Sequence, residues 1–220
     1  MESLSYTQEF YLCAVNSKGD VPLMRSVEIH SSLFAGGILE LLEHGFIGFG
    51  RNERAAEVKN DLIEVAKPLD DAYSYLKPLY DVIATQKKSL SLKNLVMWEF
   101  KPKLYNGLQS AIGSSLVALG LAEELDSQGL LKNKQKYVPK PEVAAPIIDK
   151  IRAAILEGGD ITDETLCLAA LLDRGKIIGG YFSKVESDML KKRLEEVRES
   201  EPYAVAKAVM DVVTSGIASM

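Results

Sequence analysis

The longest stretch without a formal charge lies in the middle of the chain, from Leu104 to Ala122. Polar residues and glycines interrupt it, Asn106 and Gln109 among them, so its insertion into a hydrocarbon core would be costly. Apolar residues recur at helical spacing around most of its circumference, which is typical of a helix buried in a helical domain rather than of a membrane span. The pattern predicts a buried central helix that begins near Leu104 and stops at Gly129.

Three apolar helices are predicted to stop at a glycine that an apolar residue follows, at Gly45, Gly129 and Gly175. A left-handed glycine in this position is the usual Schellman-type helix end. After the first two glycines come a short apolar run, a polar turn and a second apolar run, which predicts a β-hairpin. The expected strand pairs are Phe46–Phe49 with Leu62–Val65, and Leu130–Leu131 with Tyr137–Val138. Each helix with its glycine and hairpin resembles a winged-helix unit.

Helix caps and apolar spacing predict the other helices. Ser5 and Gln8 form a capping-box pattern at the start of the first one. A strongly apolar helix is predicted over Leu33–Glu43, and its Gly36–Gly37 pair indicates close contact with another backbone. Thr162 is the expected cap of a later apolar helix. We therefore predict a mainly α fold: a single helical domain, residues 1–220, around a buried apolar central helix, with small β-hairpins.

Composition and charge narrow the functional classes. The 220 residues are 47% hydrophobic and carry a net charge of −5, with a pI near 5.2, so no overall attraction draws the chain to phosphate backbones or anionic membranes. Cys13 and Cys167 lie in apolar helical contexts and are predicted to be buried free thiols. The N-terminus lacks the basic and apolar regions of a signal peptide. We expect a cytosolic protein, or one that touches membranes only from outside.

No specific catalytic motif occurs in the chain. His30 and His44 are not spaced as a metal-binding pair, and the glycines of IGFGRNER lack the lysine and hydroxyl that hold phosphates in a Walker loop. Neither cysteine lies in a nucleophile signature. The sequence therefore predicts no enzyme activity, no cofactor and no metal.

Four segments in order resemble the Golgi phosphoprotein 3 family. They are LSYTQEFYLCAV from Leu4, SSLFAGGILELLEHGFI from Ser31, LVALGLAEELDSQGLL from Leu116 and the segment LCLAALLDRGKI from Leu166. The resemblance implies a mostly helical domain that docks on the cytosolic face of membranes by binding phosphatidylinositol 4-phosphate. In eukaryotes, members of this family retain Golgi enzymes.

The lipid pocket of that family contains a tryptophan, one arginine early in the second helix and two arginines three residues apart on the central helix. Ungapped matching places Arg25 at the tryptophan and Phe34 at the first arginine, with Ser115 and Ala118 at the paired arginines. Bidentate arginine is the strong binder of phosphate, so a phosphate monoester would be poorly held at these positions. The chain thus resembles the family with its lipid-pocket residues substituted.

Lysines alternate on the turn of the second predicted hairpin, at Lys132, Lys134 and Lys136. Near an anionic membrane surface each would contribute about 1 kcal/mol. A solvated hairpin tip is the alternative interpretation of the same residues. Together with Arg25, these lysines are the candidate lipid-headgroup contacts.

The leading functional hypothesis is a peripheral, lipid-associating adaptor of the phosphatidylinositol 4-phosphate-binding type, whose partners are anionic phospholipid headgroups and further proteins. The alternative is a helical protein–protein scaffold that does not bind lipid. A winged-helix nucleic-acid binder is a third possibility, suggested by the two hairpin units. The acidic pI and the nearly uncharged central helix argue against nucleic acid, because a recognition helix needs Arg or Lys. The oligomeric state is not predicted.

Overall fold

The structure is a computed structural model that describes residues 4–49, 62–86, 90–99, 102–125, 135–196 and 201–217. Helices dominate it, which confirms the predicted mainly α fold. The α-helices are α1 (Tyr6–Ala14), α2 (Ser26–Glu43), α3 (Lys77–Ala84), α4 (Leu92–Glu99), α5 (Pro102–Ala118), α6 (Ala144–Ile151), α7 (Asp163–Arg174), α8 (Lys184–Glu196) and α9 (Glu201–Ile217). Short 3₁₀ helices cover Leu23–Arg25, Asp71–Leu76 and Ile178–Gly180, and a π-helical turn, Arg152–Leu156, extends α6.

Two small antiparallel sheets accompany the helices. Strands β1 (Ile47–Phe49), β2 (Leu62–Val65) and β3 (Leu90–Ser91) form one sheet in that order, and β4 (Ala122–Leu125) pairs with β5 (Lys136–Pro139) in the other. The first sheet follows α2 and the second follows α5. A helix, a glycine and an antiparallel strand pair thus follow one another twice, and the first predicted unit, with Phe46–Phe49 against Leu62–Val65, is confirmed.

Helix α2 is the buried centre of the fold. Ile29, Leu33, Ile38 and Leu41 have no exposed surface, and α1, α5, α7 and α9 all pack against the helix. It begins at Ser26, seven residues before the predicted start, and the polar Ser31–Ser32 pair lies buried inside it. A buried apolar central helix is thus present, but it is α2 and not the predicted segment that begins near Leu104.

The glycine pair in α2 allows the neighbouring elements to approach closely. A Cβ at Gly36 would lie 2.7 Å from the Thr7 hydroxyl oxygen, and one at Gly37 would lie 2.9 Å from a Leu79 methyl carbon. Real side-chain contacts are not this short, so a larger residue at either position would displace its neighbour. The close approach is present, but it is made with side chains of α1 and α3 and not with another backbone as predicted.

Helix α5 ends earlier than predicted. Gly120 takes the left-handed conformation, with φ of +72°, and the Leu121 N–H donates to the Leu116 carbonyl at 2.9 Å. The residues that follow pair with β5 instead of continuing the helix. The predicted stop at Gly129 is therefore wrong, and so is the predicted first strand, because Ala122–Leu125 is the partner of β5. Gly129 and Leu130–Leu131 lie outside the described residues.

Helix α5 is buried on one face only. Leu108, Ile112 and Leu116 are at most 1% exposed, whereas Asn106 and Ser114 on the other side are exposed. It therefore packs as an amphipathic helix beside α2. The absence of charged residues did not distinguish a helix that is buried on one face from a helix that is buried on all faces.

The other two glycine stops differ from each other. Gly45 is left-handed, with φ of +67°, as predicted. After α7 the left-handed residue is Lys176, with φ of 54°, while Gly175 has an ordinary φ of −69°. A Cβ at Gly175 would lie 3.0 Å from the Phe10 ring, so this glycine is required by packing and not by its backbone conformation.

Several local predictions are confirmed. The Ser5 hydroxyl accepts from the Gln8 N–H and the Gln8 side chain accepts from the Ser5 N–H, which completes the capping box. Thr162 caps α7. Cys13 and Cys167 are buried free thiols, and burial raises the pKa of both to about 12. Among the described helices none is both long enough and apolar enough to cross a bilayer.

Candidate functional site

Arg25 lies on a short turn with unusually exposed apolar neighbours. It ends the 3₁₀ helix that precedes α2, and its side chain is exposed. Leu23 and Met24 are 87% and 91% exposed, and Val27, in the first turn of α2, is 54% exposed. We call residues 23–27 the exposed turn. It combines one guanidinium with three apolar side chains that have little protein packing around them.

A second cation lies near the base of the exposed turn but is already paired. The Lys176 ammonium forms an ion pair with Glu28 in the first turn of α2. The hydrogen bond from Lys176, together with the charges of Lys176 and Arg25, holds the pKa of Glu28 below its usual value. Glu28 is therefore ionised at neutral pH, and its charge offsets part of the positive charge of this surface.

The three candidate lysines do not form one described cluster with Arg25. Lys136 lies at the start of β5, and its ammonium pairs with the Asp20 carboxylate at 2.8 Å. Lys132 and Lys134 lie outside the described residues. Contact of Lys136 with a lipid phosphate would compete with the Asp20 pair, so headgroup binding by these lysines stays a prediction.

The positions matched to the family's arginines hold no cation. Phe34 is 2% exposed within α2. Ser115 and Ala118 lie in the last turn of α5, and neither side chain carries a charge. No side chain at these three positions can therefore pair with a phosphate through charge.

A cavity of about 690 Å³ opens at the other end of α2. It lies between the start of α1, the end of α2, the 3₁₀ helix Asp71–Leu76 and the end of α5. Four carboxylates line it, from Glu40, Glu43, Asp71 and Glu164, and no Lys or Arg is among its described lining residues. We call this space the acidic cavity. Its charge is the opposite of what a phosphate pocket needs.

Glu40 is the most buried of these carboxylates. It has no exposed surface, and it accepts hydrogen bonds from the Thr7 N–H at 2.9 Å and the Tyr75 hydroxyl at 2.8 Å. Burial raises the pKa of Glu40, and the hydrogen bonds from Thr7 and Tyr75 act in the opposite direction. Because Thr7 lies in the first turn of α1, Glu40 also satisfies a backbone donor at the start of that helix.

Aromatic and hydroxyl groups complete the lining of the acidic cavity. The rings of Tyr73 and His44 lie 4.4 Å apart, with the Tyr73 hydroxyl 3.3 Å from His44 Nδ1. Across the cavity, the Gln8 amide donates to the Ser115 hydroxyl at 3.0 Å. The side chains are held by one another, so the cavity has a defined shape. In the part of the chain that is described, no three His, Cys, Asp or Glu side chains are placed to hold a metal ion.

Sequence reasoning missed both the apolar part of the exposed turn and the acidic cavity. A signal existed for Glu40, which interrupts the apolar run ILELL in a helix that was correctly predicted to be strongly apolar. Leu23 and Met24 gave no such signal, because an apolar pair after a proline is equally compatible with a core position. Their exposure follows from the tertiary structure alone.

Comparison with known proteins agrees with this architecture. The family model described as Golgi phosphoprotein 3 (GPP34) matches residues 7–215, which is nearly the whole chain. A search of curated proteins gave no significant match. The family match spans both helix–glycine–hairpin units, the exposed turn and the elements around the acidic cavity. The chain belongs to the Golgi phosphoprotein 3 family.

Proposed function

We propose that this protein is a peripheral membrane adaptor that contacts anionic lipid surfaces through the exposed turn. The observation that carries the proposal is the near-complete exposure of Leu23 and Met24 beside Arg25. Apolar side chains at such a site enter the boundary between headgroups and acyl chains, while a guanidinium binds the lipid phosphates. In the ungapped matching of the sequence, Arg25 stands where the family's lipid pocket has its tryptophan, so the chain departs from the family there.

The expected membrane affinity is modest and reversible. Complete burial of a Leu or Met side chain contributes about 1.5–3 kcal/mol, and one cation near an anionic surface adds about 1 kcal/mol. The net charge of −5 opposes approach to an anionic bilayer. Stable residence on a membrane would therefore need a second contact, such as a protein partner already on that membrane.

Phosphatidylinositol 4-phosphate remains the family ligand to test, and we expect only weak selectivity for it. Phe34, Ser115 and Ala118 at the matched positions supply no charge to hold a phosphate monoester. The attraction of Arg25 alone would depend mainly on the density of negative charge on the membrane surface. Vesicles with phosphatidylinositol 4-phosphate and vesicles with phosphatidylserine at matched charge should bind the protein about equally.

Vesicle flotation tests the exposed turn directly. The change is Leu23→Ser with Met24→Ser, and the matched control is Val185→Ser with Met189→Ser, which also removes two exposed apolar residues, from α8. We expect the first pair to weaken binding to anionic vesicles by tenfold or more, because the loss of two inserted side chains removes about 3 kcal/mol or more. The control pair should bind as the unchanged protein does.

Two results would contradict the proposal. If the unchanged protein does not float with any vesicle, the membrane contact is absent. If the exposed-turn pair and the α8 pair reduce flotation equally, the effect does not come from a specific surface. Thermal unfolding of each variant provides the check on folding, and we expect small changes because all four side chains are at least half exposed.

The protein-scaffold alternative has its own supporting observation. Val185 and Met189 lie one turn apart on α8 and are 69% and 50% exposed. An apolar pair at this spacing suits the groove of a partner helix. The scaffold function would replace the lipid-binding one if two results are found together. The protein binds no vesicle, and pull-down recovers a protein partner whose binding is abolished by the α8 pair of substitutions.

A further inference from the structure

The outward face of α8 carries an apolar pair that is left open to solvent. Leu190 and Leu194, on the opposite face of the helix, are at most 4% exposed and pack on the body of the protein. Val185 and Met189, four residues apart, are 69% and 50% exposed. Two apolar side chains at helical spacing on an exposed face are typical of a contact between helices. The membrane contact proposed above uses no residue of α8, so this face has a separate role.

Two charged side chains accompany the apolar pair on the outward face. With 3.6 residues per turn, Asp188 and Lys192 lie within about 60° of Val185 around the helix axis, and both are exposed. The Lys192 ammonium is 3.9 Å from the Glu196 carboxylate, while the Arg193 guanidinium holds the same carboxylate at 2.8 Å. Among the ion pairs of the described residues none includes Asp188. A carboxylate without an ion-pair partner and a weakly paired ammonium thus lie beside the apolar pair.

The order of these charges along α8 suits an antiparallel copy of the same helix. In a two-fold pair, residue i of one copy faces residue j of the other, and j faces i. With the axis between Asp188 and Lys192, each Asp188 faces Lys192 of the other copy and the two Met189 side chains meet. Two opposite-charge contacts then form at once, and the methylene stem of each Lys192 lies against Val185. The outward face is therefore complementary to itself.

We propose that α8 is a homodimer contact, through which two copies of this chain pair antiparallel. A second copy is the partner that fits, because Asp188 and Lys192 add up to no net charge and only a surface with the reverse order satisfies both. One helix from each copy buries less than the roughly 1,200 Å² of a stable interface, so we expect a reversible dimer with a dissociation constant of about 0.1 mM. The pairing does not depend on membrane binding.

Sedimentation equilibrium between about 0.01 and 1 mM protein tests the pairing by charge reversal. The unchanged protein should pass reversibly from monomer to dimer across this range. Asp188→Lys should weaken the dimer by about tenfold or more, because like charges would then face each other twice, and Lys192→Asp should do the same. The two substitutions together restore opposite charges, so their dimer should form within about threefold of the original affinity.

Glu142→Lys is the matched control for charge. It changes the net charge by the same amount as Asp188→Lys, at an exposed side chain outside α8, and it should dimerise as the unchanged protein does. The proposal is overturned if the unchanged protein stays monomeric, if Asp188→Lys and Glu142→Lys have equal effects, or if the combined variant is as weak as the single ones. Binding of a different protein to α8 while the chain stays monomeric would also overturn it.

Disulfide crosslinking locates the two-fold axis independently. Met189→Cys should give a covalent dimer under oxidation by copper phenanthroline, because the two introduced thiols meet at the axis. The native Cys13 and Cys167 do not compete, since both are buried and burial raises the pKa of each thiol to about 12. Glu142→Cys is the control and should crosslink little. Equal crosslinking of the two variants would mean random collision and would contradict the axis.

Vesicle flotation tests a different surface and can be kept separate. At about 1 µM protein, about a hundredfold below the expected dissociation constant, nearly all of the protein is monomeric. The α8 pair of substitutions therefore remains a valid control in that experiment. Failure of flotation would remove the membrane contact and leave the dimer, whereas a protein that stays monomeric would remove the dimer and leave the membrane contact.

Discussion

At the scale of single residues, Glu40 connects three elements through one side chain. It lies in α2, accepts from the first turn of α1 through Thr7, and accepts from Tyr75 in the 3₁₀ helix Asp71–Leu76. Burial raises the pKa of Glu40 above its ordinary value of 4.5. A carboxyl group with a raised pKa contributes stability at low pH, and this contribution falls as the pH rises from the ordinary value towards the raised one.

Glu40→Gln is therefore expected to change the pH dependence of stability. In the unchanged protein, the free energy of unfolding falls as the Glu40 carboxyl ionises, by at most about 1.4 kcal/mol per pH unit. The amide of the variant stays neutral, so the variant does not lose this stability. Relative to the unchanged protein, the variant should gain stability as the pH rises from about 4.5 to 7 in urea unfolding. Glu124→Gln on β4 is the matched control, because it makes the same substitution at an exposed side chain. A pH-independent difference for Glu40→Gln would contradict the role of burial.

At the scale of elements, the second hairpin packs directly on α5. The Tyr137 ring of β5 covers Gly113, where a Cβ would lie 2.3 Å from the ring. The Tyr137 hydroxyl lies 3.1 Å and 2.9 Å from the Ser110 and Ser114 hydroxyls on the same helix. One aromatic side chain therefore fixes the hairpin against a helical surface of small residues.

Gly113→Ala should destabilise the protein by about 1–3 kcal/mol, because the added methyl group displaces the hairpin from the helix. Gly107→Ala in the same helix is the control: its Cβ would lie 3.6 Å from Pro78, an ordinary contact. That variant should gain up to about 1 kcal/mol from the better helix propensity of alanine. Chemical denaturation measures both. Stabilisation by Gly113→Ala would mean that the Tyr137 ring does not lie on α5.

The elements also show which features the sequence could predict. Caps and glycine stops are local, so Ser5, Gly45 and Thr162 were assigned correctly. The end of α5 was not, because Leu121 and Leu125 continue the helical spacing and only pairing with distant β5 makes this segment a strand. The candidate site behaves likewise. Its position at Arg25 came from the family resemblance, whereas the exposure of Leu23 and Met24 and the arrangement of carboxylates around one cavity depend on tertiary packing.

At the scale of the whole molecule, net charge and local surface act in opposite directions. The protein carries −5 overall, yet the exposed turn presents one guanidinium and three apolar side chains. Salt screens both the general repulsion from an anionic bilayer and the attraction of Arg25, while apolar insertion is not screened. The mechanism of membrane contact can therefore be identified from the response to ionic strength.

We expect vesicle binding to change by less than about threefold between 0.05 and 0.3 M salt, since apolar insertion supplies most of the affinity. A surface built on lysines would behave differently, because each Lys near an anionic membrane contributes about 1 kcal/mol that salt weakens. Flotation across this range, with Lys132→Gln and Lys134→Gln together as the comparison variant, separates the two cases. The contrary result would be that salt weakens vesicle binding of the unchanged protein more than tenfold and that the lysine variant lacks this salt dependence. It would assign the membrane contact to the lysine turn instead of the exposed turn.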